Sequence, residues 1–364
     1  MTMLSHHENT PPSEETLMTP GKHTLHEILS QPQVWLSALQ EAEKATPAWR
    51  TALGNEDTPL IFIGCGSTYY LSLAAATLFR RLTSRLTFAV PGGEFLFQQT
   101  DWLGDLTERN PKPVLIAISR SGSTSETIHA VREYRRRGGR VLAVTNYPES
   151  ELAGEAEEAL LLPQGQEESV AQTRSFSSMF VGLNALAARL GGHTTLWKAM
   201  QRLPEAADRL LNRFGARTRQ MGEDLNLERF YFLGSGLRYG LASEVSLKMK
   251  EMSLSHSEPF PFLEFRHGPM SMVNERTLLI GLLSERNQAQ EQAVLDEMQA
   301  RGAQILSLGE QQAVVTFDSE IPEEGRGALY LPLLQWMACH RSLAKGLDPD
   351  RPHNLTAVVR LNLS

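Results

Sequence analysis

Pro113-Val-Leu-Ile-Ala-Ile-Ser119-Arg-Ser-Gly-Ser-Thr124, then a helical run, then Arg140-Val-Leu-Ala-Val-Thr145, is the stretch that decides the fold. An unbroken apolar run that ends in small polar residues, followed by a helix and a second apolar run, is the pattern of a buried parallel βαβ unit. About 165 positions further on the unit recurs as Thr277-Leu-Leu-Ile-Gly-Leu-Leu-Ser284-Glu-Arg-Asn287, a helical run and Ala303-Gln-Ile-Leu-Ser-Leu308. Only the first copy keeps a hydroxyl-lined turn. Ser119, Ser121, Ser123 and Thr124 surround Gly122 with small side chains and backbone N–H groups at a helix start, which suits a phosphate.

A second landmark repeats with similar spacing. The strand Pro59–Ile63 runs into Gly64-Cys-Gly-Ser-Thr68 and a helix from Tyr69 to Arg81. Arg229–Leu233 runs likewise into Gly234-Ser-Gly236 and a helix from about Gly240 to Ser253. Two landmarks repeated at nearly one spacing indicate a duplicated domain. Strands alternating with helices predict an α/β protein of two tandem, mainly parallel sheets flanked by helices.

The boundaries read as an unstructured tail over 1–21, a first domain over 22–195, a second over 196–349 and a tail over 350–364. Leu25, Ile28, Leu29, Trp35, Leu36 and Leu39 fall at helical spacing near the start. Further strands are predicted over 87–90 and 159–162, and a loop over 163–173. The halves are expected to differ after their first helix, where the second inserts Ser257 to Pro269, with Glu264 and His267 at its end.

Composition narrows the function classes. Hydrophobic content of 41% and charged content of 21% fit a soluble globular chain. A net charge of −7 without a basic stripe argues against nucleic acid. The run Arg135 to Arg140 reads as a solvated helix end. Cys65 and Cys339 make neither a disulfide framework nor a metal cluster, which suits a reduced, cytoplasmic setting. No secretory signal or membrane-length apolar run is present in the sequence.

The motifs leave alternatives open. Gly64-Cys-Gly-Ser-Thr68 lacks the third glycine and the acidic strand end of a dinucleotide fingerprint, and reads as a tight turn or a ligand loop. The 119–124 turn lacks the lysine of a nucleoside-triphosphate loop, and Arg120 adds a possible bidentate phosphate contact. Lys248 and Glu251 share one helix face, either as a surface ion pair or as a partly buried acid suited to proton transfer. His267 reads as a core histidine, a cap or a general acid, with His256 as its rival.

Together these motifs resemble the tandem sugar isomerase (SIS) domain family. More closely, they resemble the isomerase half of glucosamine-6-phosphate synthase, and the stand-alone glucosamine-6-phosphate deaminases and fructosamine deglycases built on it. The resemblance covers roughly 55–360 and also rests on Gln166 to Thr173, Glu244 to Glu251, Glu264 to Pro269 and Arg351 to Leu355. It implies that Gly66, Ser67, Thr68, Ser119, Arg120, Ser121 and Thr124 hold a sugar phosphate, and that Val170, Ala171 and Gln172 meet the sugar. It also implies that Glu251 moves a proton between C1 and C2 with Lys248 as helper. His267 would open the ring from a neighbouring subunit, so a homodimer is implied. No metal or organic cofactor is expected.

Three departures stand out. Arg120 replaces the family's usual glutamine, Gln172 its usual serine or threonine, and Ala357 a tail lysine associated with the open-chain ketose and ammonia. No amidotransferase half accompanies these motifs, so glutamine-dependent synthesis by this chain alone is not expected. The leading expectation is an isomerase acting on an amino-substituted hexose 6-phosphate with C–N cleavage, as a deaminase or deglycase. A non-catalytic sugar-phosphate sensor and an aldose–ketose isomerase are the alternatives.

Overall fold

The computed structural model describes residues 19–104, 111–356 and 361. The first half runs α1 (Lys22–Leu29), α2 (Gln31–Leu53), β1 (Leu60–Gly64), α3 (Ser67–Thr83), β2 (Thr87–Pro91), α4 (Gly92–Phe97), α5 (Gln99–Leu103), β3 (Val114–Ile118), α6 (Ser125–Arg136), β4 (Arg140–Thr145), α7 (Glu151–Glu155), β5 (Glu158–Leu161) and α8 (Arg174–Leu190). Helices α9 (Thr194–Met200) and α10 (Leu203–Glu223) lead into the second half. There follow β6 (Arg229–Leu233), α11 (Leu237–Ser253), β7 (His256–Phe260), β8 (Thr277–Leu282), α12 (Gln288–Gln299), β9 (Gln304–Gly309), β10 (Val315–Thr316) and α13 (Leu331–Ala344).

Each half holds a five-stranded sheet, ordered β2-β1-β3-β4-β5 and β7-β6-β8-β9-β10, with every pair parallel. The two orders are the same, as duplication requires. Strands β1 and β3 are buried at every residue, which is why they are apolar without alternation. Register fixes the match between copies. Ile118 pairs with Val144 and Leu282 with Leu308, so Leu283 stands where Ser119 stands.

The stretch expected to be an insertion is not one. His256–Phe260 forms β7 and pairs with β6 as β2 pairs with β1. Pro259 and the charged residues around it hid the strand, because proline is tolerated on an edge strand, where β7 lies. Helices α4 and α5 were likewise not predicted. Most of the predicted tail, residues 1–18, lies outside the described residues, while Gly21 N donates to Asp348 Oδ1 at 3.0 Å.

One apolar core runs through both halves, from Trp35, Trp49 and Phe62 to Phe230, Met249 and Leu334. Its seam is the crossing of α3 and α11. A Cβ on Gly240 would lie 2.6 Å from the Tyr70 carbonyl oxygen and 2.8 Å from Ala74 N. Glycine there lets the helices approach backbone to backbone, and that approach sets the site below.

Candidate active site

In an open parallel sheet the crevice lies at the carboxyl ends of strands that flank a reversal of strand order, here β1 and β3. The turn after β1 is built on two glycines. Gly66 has φ +57°, and a Cβ on Gly64 would lie 2.4 Å from the Thr68 backbone. The Thr68 hydroxyl accepts from Cys65 N at 2.9 Å and donates to Cys65 O at 3.0 Å, which locks the turn.

The turn after β3 is built likewise. Gly122 has φ +62°, and a Cβ there would collide with Ser150 Oγ at 2.1 Å. Ser119 Oγ accepts from Gly122 N at 3.1 Å and lies 3.1 Å from Thr124 Oγ1. Ser121 Oγ accepts from Ser123 N and Ser123 Oγ at 3.3 and 3.0 Å. Thr124 is the N-cap of α6 yet makes no side-chain capping bond, so the helix start still offers N–H donors to an anion.

Between the two turns lies a cavity of about 200 Å3. Gly66, Ser67, Arg120, Thr124, Val170 and Gln172 line it from the first half, and Lys248 and Glu251 from α11. Thus the predicted anion loops and the predicted acid meet in one space. Ser119 and Ala171 are buried behind the lining, and Thr68 and Ser121 spend their hydroxyls within the turns. His267 is exposed at the end of a 3₁₀ turn and does not line this cavity.

Residues 166–173 are held by carboxylates. Glu27 Oε1 accepts from Glu168 N at 2.6 Å and Ser169 N at 3.2 Å; Glu167 Oε1 accepts from Thr173 N at 2.6 Å and Thr173 Oγ1 at 2.8 Å. Arg120 donates to the Val170 carbonyl at 2.8 Å and lies 3.7 Å from Glu167 Oε2. Much of Arg120 therefore holds the 166–173 loop in place. Burial first, and Glu167 second, push the Glu27 carboxyl above its ordinary range.

On α11 the buried Lys248 ammonium is bonded to Glu251, lies 3.5 Å from Glu244 Oε1 and donates to Ser67 Oγ at 3.1 Å. Burial alone would lower its pKa, but Glu244 and Glu251 outweigh burial and raise it, so Lys248 stays an ammonium. Glu244 is fully buried and neither of its oxygens has a hydrogen-bond partner. Burial pushes its carboxyl up to about 7, with the Glu251 charge adding to the rise and Lys248 opposing it.

Several lining residues were not predicted. Cys65 and Glu126 face the cavity, and so do Leu355 and Thr356 of the tail. Leu361 N donates to Ser125 Oγ, at the start of α6, at 3.1 Å. Ala357 lies outside the described residues. The i,i+4 spacing of Glu244 and Lys248 is the signal that could have added Glu244. Nothing in the sequence announced Glu27.

In the second half, Arg238 takes the place of Thr68. It pairs with Glu323 and lies 3.8 Å from Glu291, so ionic side chains fill that crevice. Among the described residues no three His, Cys, Asp or Glu side chains could jointly hold a metal, and no helix is long and apolar enough to cross a membrane.

The family profile described as SIS domain matches residues 55–189 and 226–315. Glutamine–fructose-6-phosphate aminotransferase (isomerizing) of Pyrococcus horikoshii is 28% identical over 348 residues, covering 92% of this chain and 57% of that protein. The chain thus spans little more than half of that relative. The solved structure of glucosamine-6-phosphate deaminase from Thermotoga maritima superposes with a TM-score of 0.74 at 28% identity, covering 89% of this chain and all of that one. Tagatose-6-phosphate ketose/aldose isomerase from Escherichia coli superposes with a TM-score of 0.80 at 22% identity over 92% of this chain and 98% of that one, a likeness of fold.

Proposed function

The chain belongs to the SIS domain family, and from that premise we propose that it is an enzyme for an amino-substituted hexose 6-phosphate, moving a proton between C1 and C2 with C–N cleavage. One observation carries this reading: Glu251 and Lys248 of the second half line the same cavity as Ser67, Arg120 and Thr124 of the first. An anion loop alone would suit a sensor. An acid carboxylate beside a buried ammonium, within reach of an anchored sugar, suits proton transfer.

In this reading the phosphate sits on the turns after β1 and β3 and at the start of α6. Remote binding energy then aligns the reacting carbons over Glu251. Glu251 takes the proton from one carbon of the open-chain sugar and returns it to the other. Lys248 orients that carboxylate and stabilises the oxyanion that develops as the proton leaves. His267 opens the ring from a second protomer. The sugar carbonyl already acidifies the adjacent C–H, so these side chains suffice for the step. In both amine-releasing outcomes the proton transfer leaves an imine, which water hydrolyses to a carbonyl and a free amine: nitrogen on C2 of glucosamine 6-phosphate leaves as ammonia, and nitrogen on C1 of a fructosamine 6-phosphate leaves with its amino acid.

The test gives purified protein glucosamine 6-phosphate, galactosamine 6-phosphate and several fructosamine 6-phosphates, and measures ammonia or amino-acid release. Release from at least one is expected. No release from any, with solvent deuterium entering C2 of glucose 6-phosphate, would assign an aldose–ketose isomerase instead. Saturable binding with neither product nor label would assign a sensor.

A further inference from the structure

Two walls of the substrate cavity are irregular chain: the 166–173 loop, through Val170 and Gln172, and the tail, through Leu355 and Thr356. Both are fastened to α1. That helix begins at a glycine N-cap, Gly21, which offers no side chain to its free N–H groups. Asp350 caps it from the other end of the chain. Its carboxylate accepts from His23 N at 3.1 Å and from Thr24 N and Thr24 Oγ1 at 2.7 Å each. The carbonyl of the same residue accepts from Val170 N at 3.0 Å. Glu27, on the same face of α1 as Thr24, takes the loop by its backbone: Glu168 N and Ser169 N donate to Oε1, and the Ser169 hydroxyl to Oε2. Helix, loop and tail thus form a closed circuit of hydrogen bonds.

Glu27 is the member of that circuit whose task is the loop alone. Among the described residues, every hydrogen bond of its side chain goes to Glu168 or Ser169, and no cation stands within ion-pair distance. Its neighbour Glu167 also accepts from Ser175 N at 3.1 Å, in the first turn of α8, and so serves as a cap of that helix. Glu27 caps no helix. A buried acid is costly unless it is well bonded, and all the bonds that offset this cost run to the cavity wall. The loop carries Val170, whose carbonyl holds Arg120, and Gln172.

We propose that Glu27 is a positioning residue of the substrate cavity: by fixing Glu168 and Ser169 it sets Val170 and Gln172 against the sugar before the sugar arrives. The proposal rests on the reading of this cavity as a hexose 6-phosphate site. Ordering a loop at the moment of binding costs affinity, and a loop ordered in advance spares that cost. The gain falls on the sugar. The phosphate rests on the turns after β1 and β3, whose own bonds are internal.

The probes are glucose 6-phosphate and inorganic phosphate, each titrated calorimetrically into the full chain. Glu27→Ala should weaken glucose 6-phosphate at least about tenfold and leave inorganic phosphate within about twofold. On a substrate that is turned over, the same variant should raise KM with kcat nearly unchanged, since Glu251 and Lys248 stand on α11. Glu27→Gln should bind both ligands as the wild-type protein does. Its amide oxygen can accept from Glu168 N and Ser169 N, its amide N–H can donate to Ser169 Oγ, and Ser169 Oγ keeps the Ala171 carbonyl, 3.0 Å away, as acceptor. Should Glu27→Ala not fold, Ser169→Ala is read instead, with the same selective loss at about threefold. Equal losses for the two ligands, no loss for either, or a glutamine variant as weak as the alanine one would each overturn the inference alone. A wild-type chain that binds glucose 6-phosphate no better than phosphate would defeat the hexose 6-phosphate reading, and the inference with it.

Discussion

Lys248 Nζ lies 3.1 Å from Ser67 Oγ, so the buried cation of the second half touches the first turn of α3 in the first. Gly240 makes that contact possible one helix crossing away. The same ammonium separates two carboxylates, Glu244 and Glu251.

Lys248→Met leaves those carboxylates without their counter-charge. Removing one partner of a buried ionic group costs about 3–5 kcal/mol. Urea unfolding of the variant should show a loss of that order, and Glu244→Gln in the same background should recover part of it. A loss below about 1 kcal/mol would mean that water already screens the cluster.

Glu244 gives the stability curve a definite slope. Its carboxyl is raised in the fold from an ordinary 4.5 to about 7. Between those values the folded protein binds a proton that the unfolded chain has released. Stability is therefore fully present below about 4.5, falls as pH rises and levels off above about 7. The loss is at most roughly 3 kcal/mol. Glu27 and Glu291 are shifted upward too, so the informative comparison is with Glu244→Gln, which should flatten the curve. Parallel curves for the two proteins would contradict this.

Gly240→Ala should reverse the usual sign. In a helix interior alanine is ordinarily more stable than glycine by up to about 1 kcal/mol. Here the added carbon would press on backbone atoms of Tyr70 and Ala74, which have nowhere to go. Destabilisation of about 1–3 kcal/mol is expected from denaturant titration, with kcat reduced more than KM as Lys248 is displaced from Ser67. A more stable variant would show that the seam yields.

Much of the fold was legible because its strands are buried on both faces, which leaves continuous apolar runs between helices. The β7 strand was hidden because an edge strand tolerates proline and charge. At the site, the turns at 64–68 and 119–124 were legible as local clusters of glycine and hydroxyls. Glu251 was legible by its spacing from Lys248. Glu27 was not, since it closes the 166–173 loop from a helix about 140 positions away in sequence. Leu355 entered only through the resemblance carried by the 351–355 run, and Thr356 was silent, because a tail becomes a cavity wall only once the chain has folded back on itself.

The composite site proposed for a homodimer has a complementation test. His267→Ala and Glu251→Gln proteins should each be nearly inactive. Unfolded together and refolded as mixed dimers, they should regain roughly a quarter of wild-type activity. Half of the dimers then hold both variants, and each of those has one intact site. Mixing without recovery would place His267 outside the reaction or within its own chain's site.

The most direct measurement is turnover by Glu251→Gln on whichever amino-substituted hexose 6-phosphate the wild-type protein cleaves. Glutamine keeps the shape and removes the base. The expected result is a kcat lower by about 10²–10⁴-fold, with the sugar phosphate still bound at near wild-type affinity through the turns after β1 and β3. Undiminished turnover would contradict the assignment of the proton transfer to this carboxylate, however well the cavity holds its ligand.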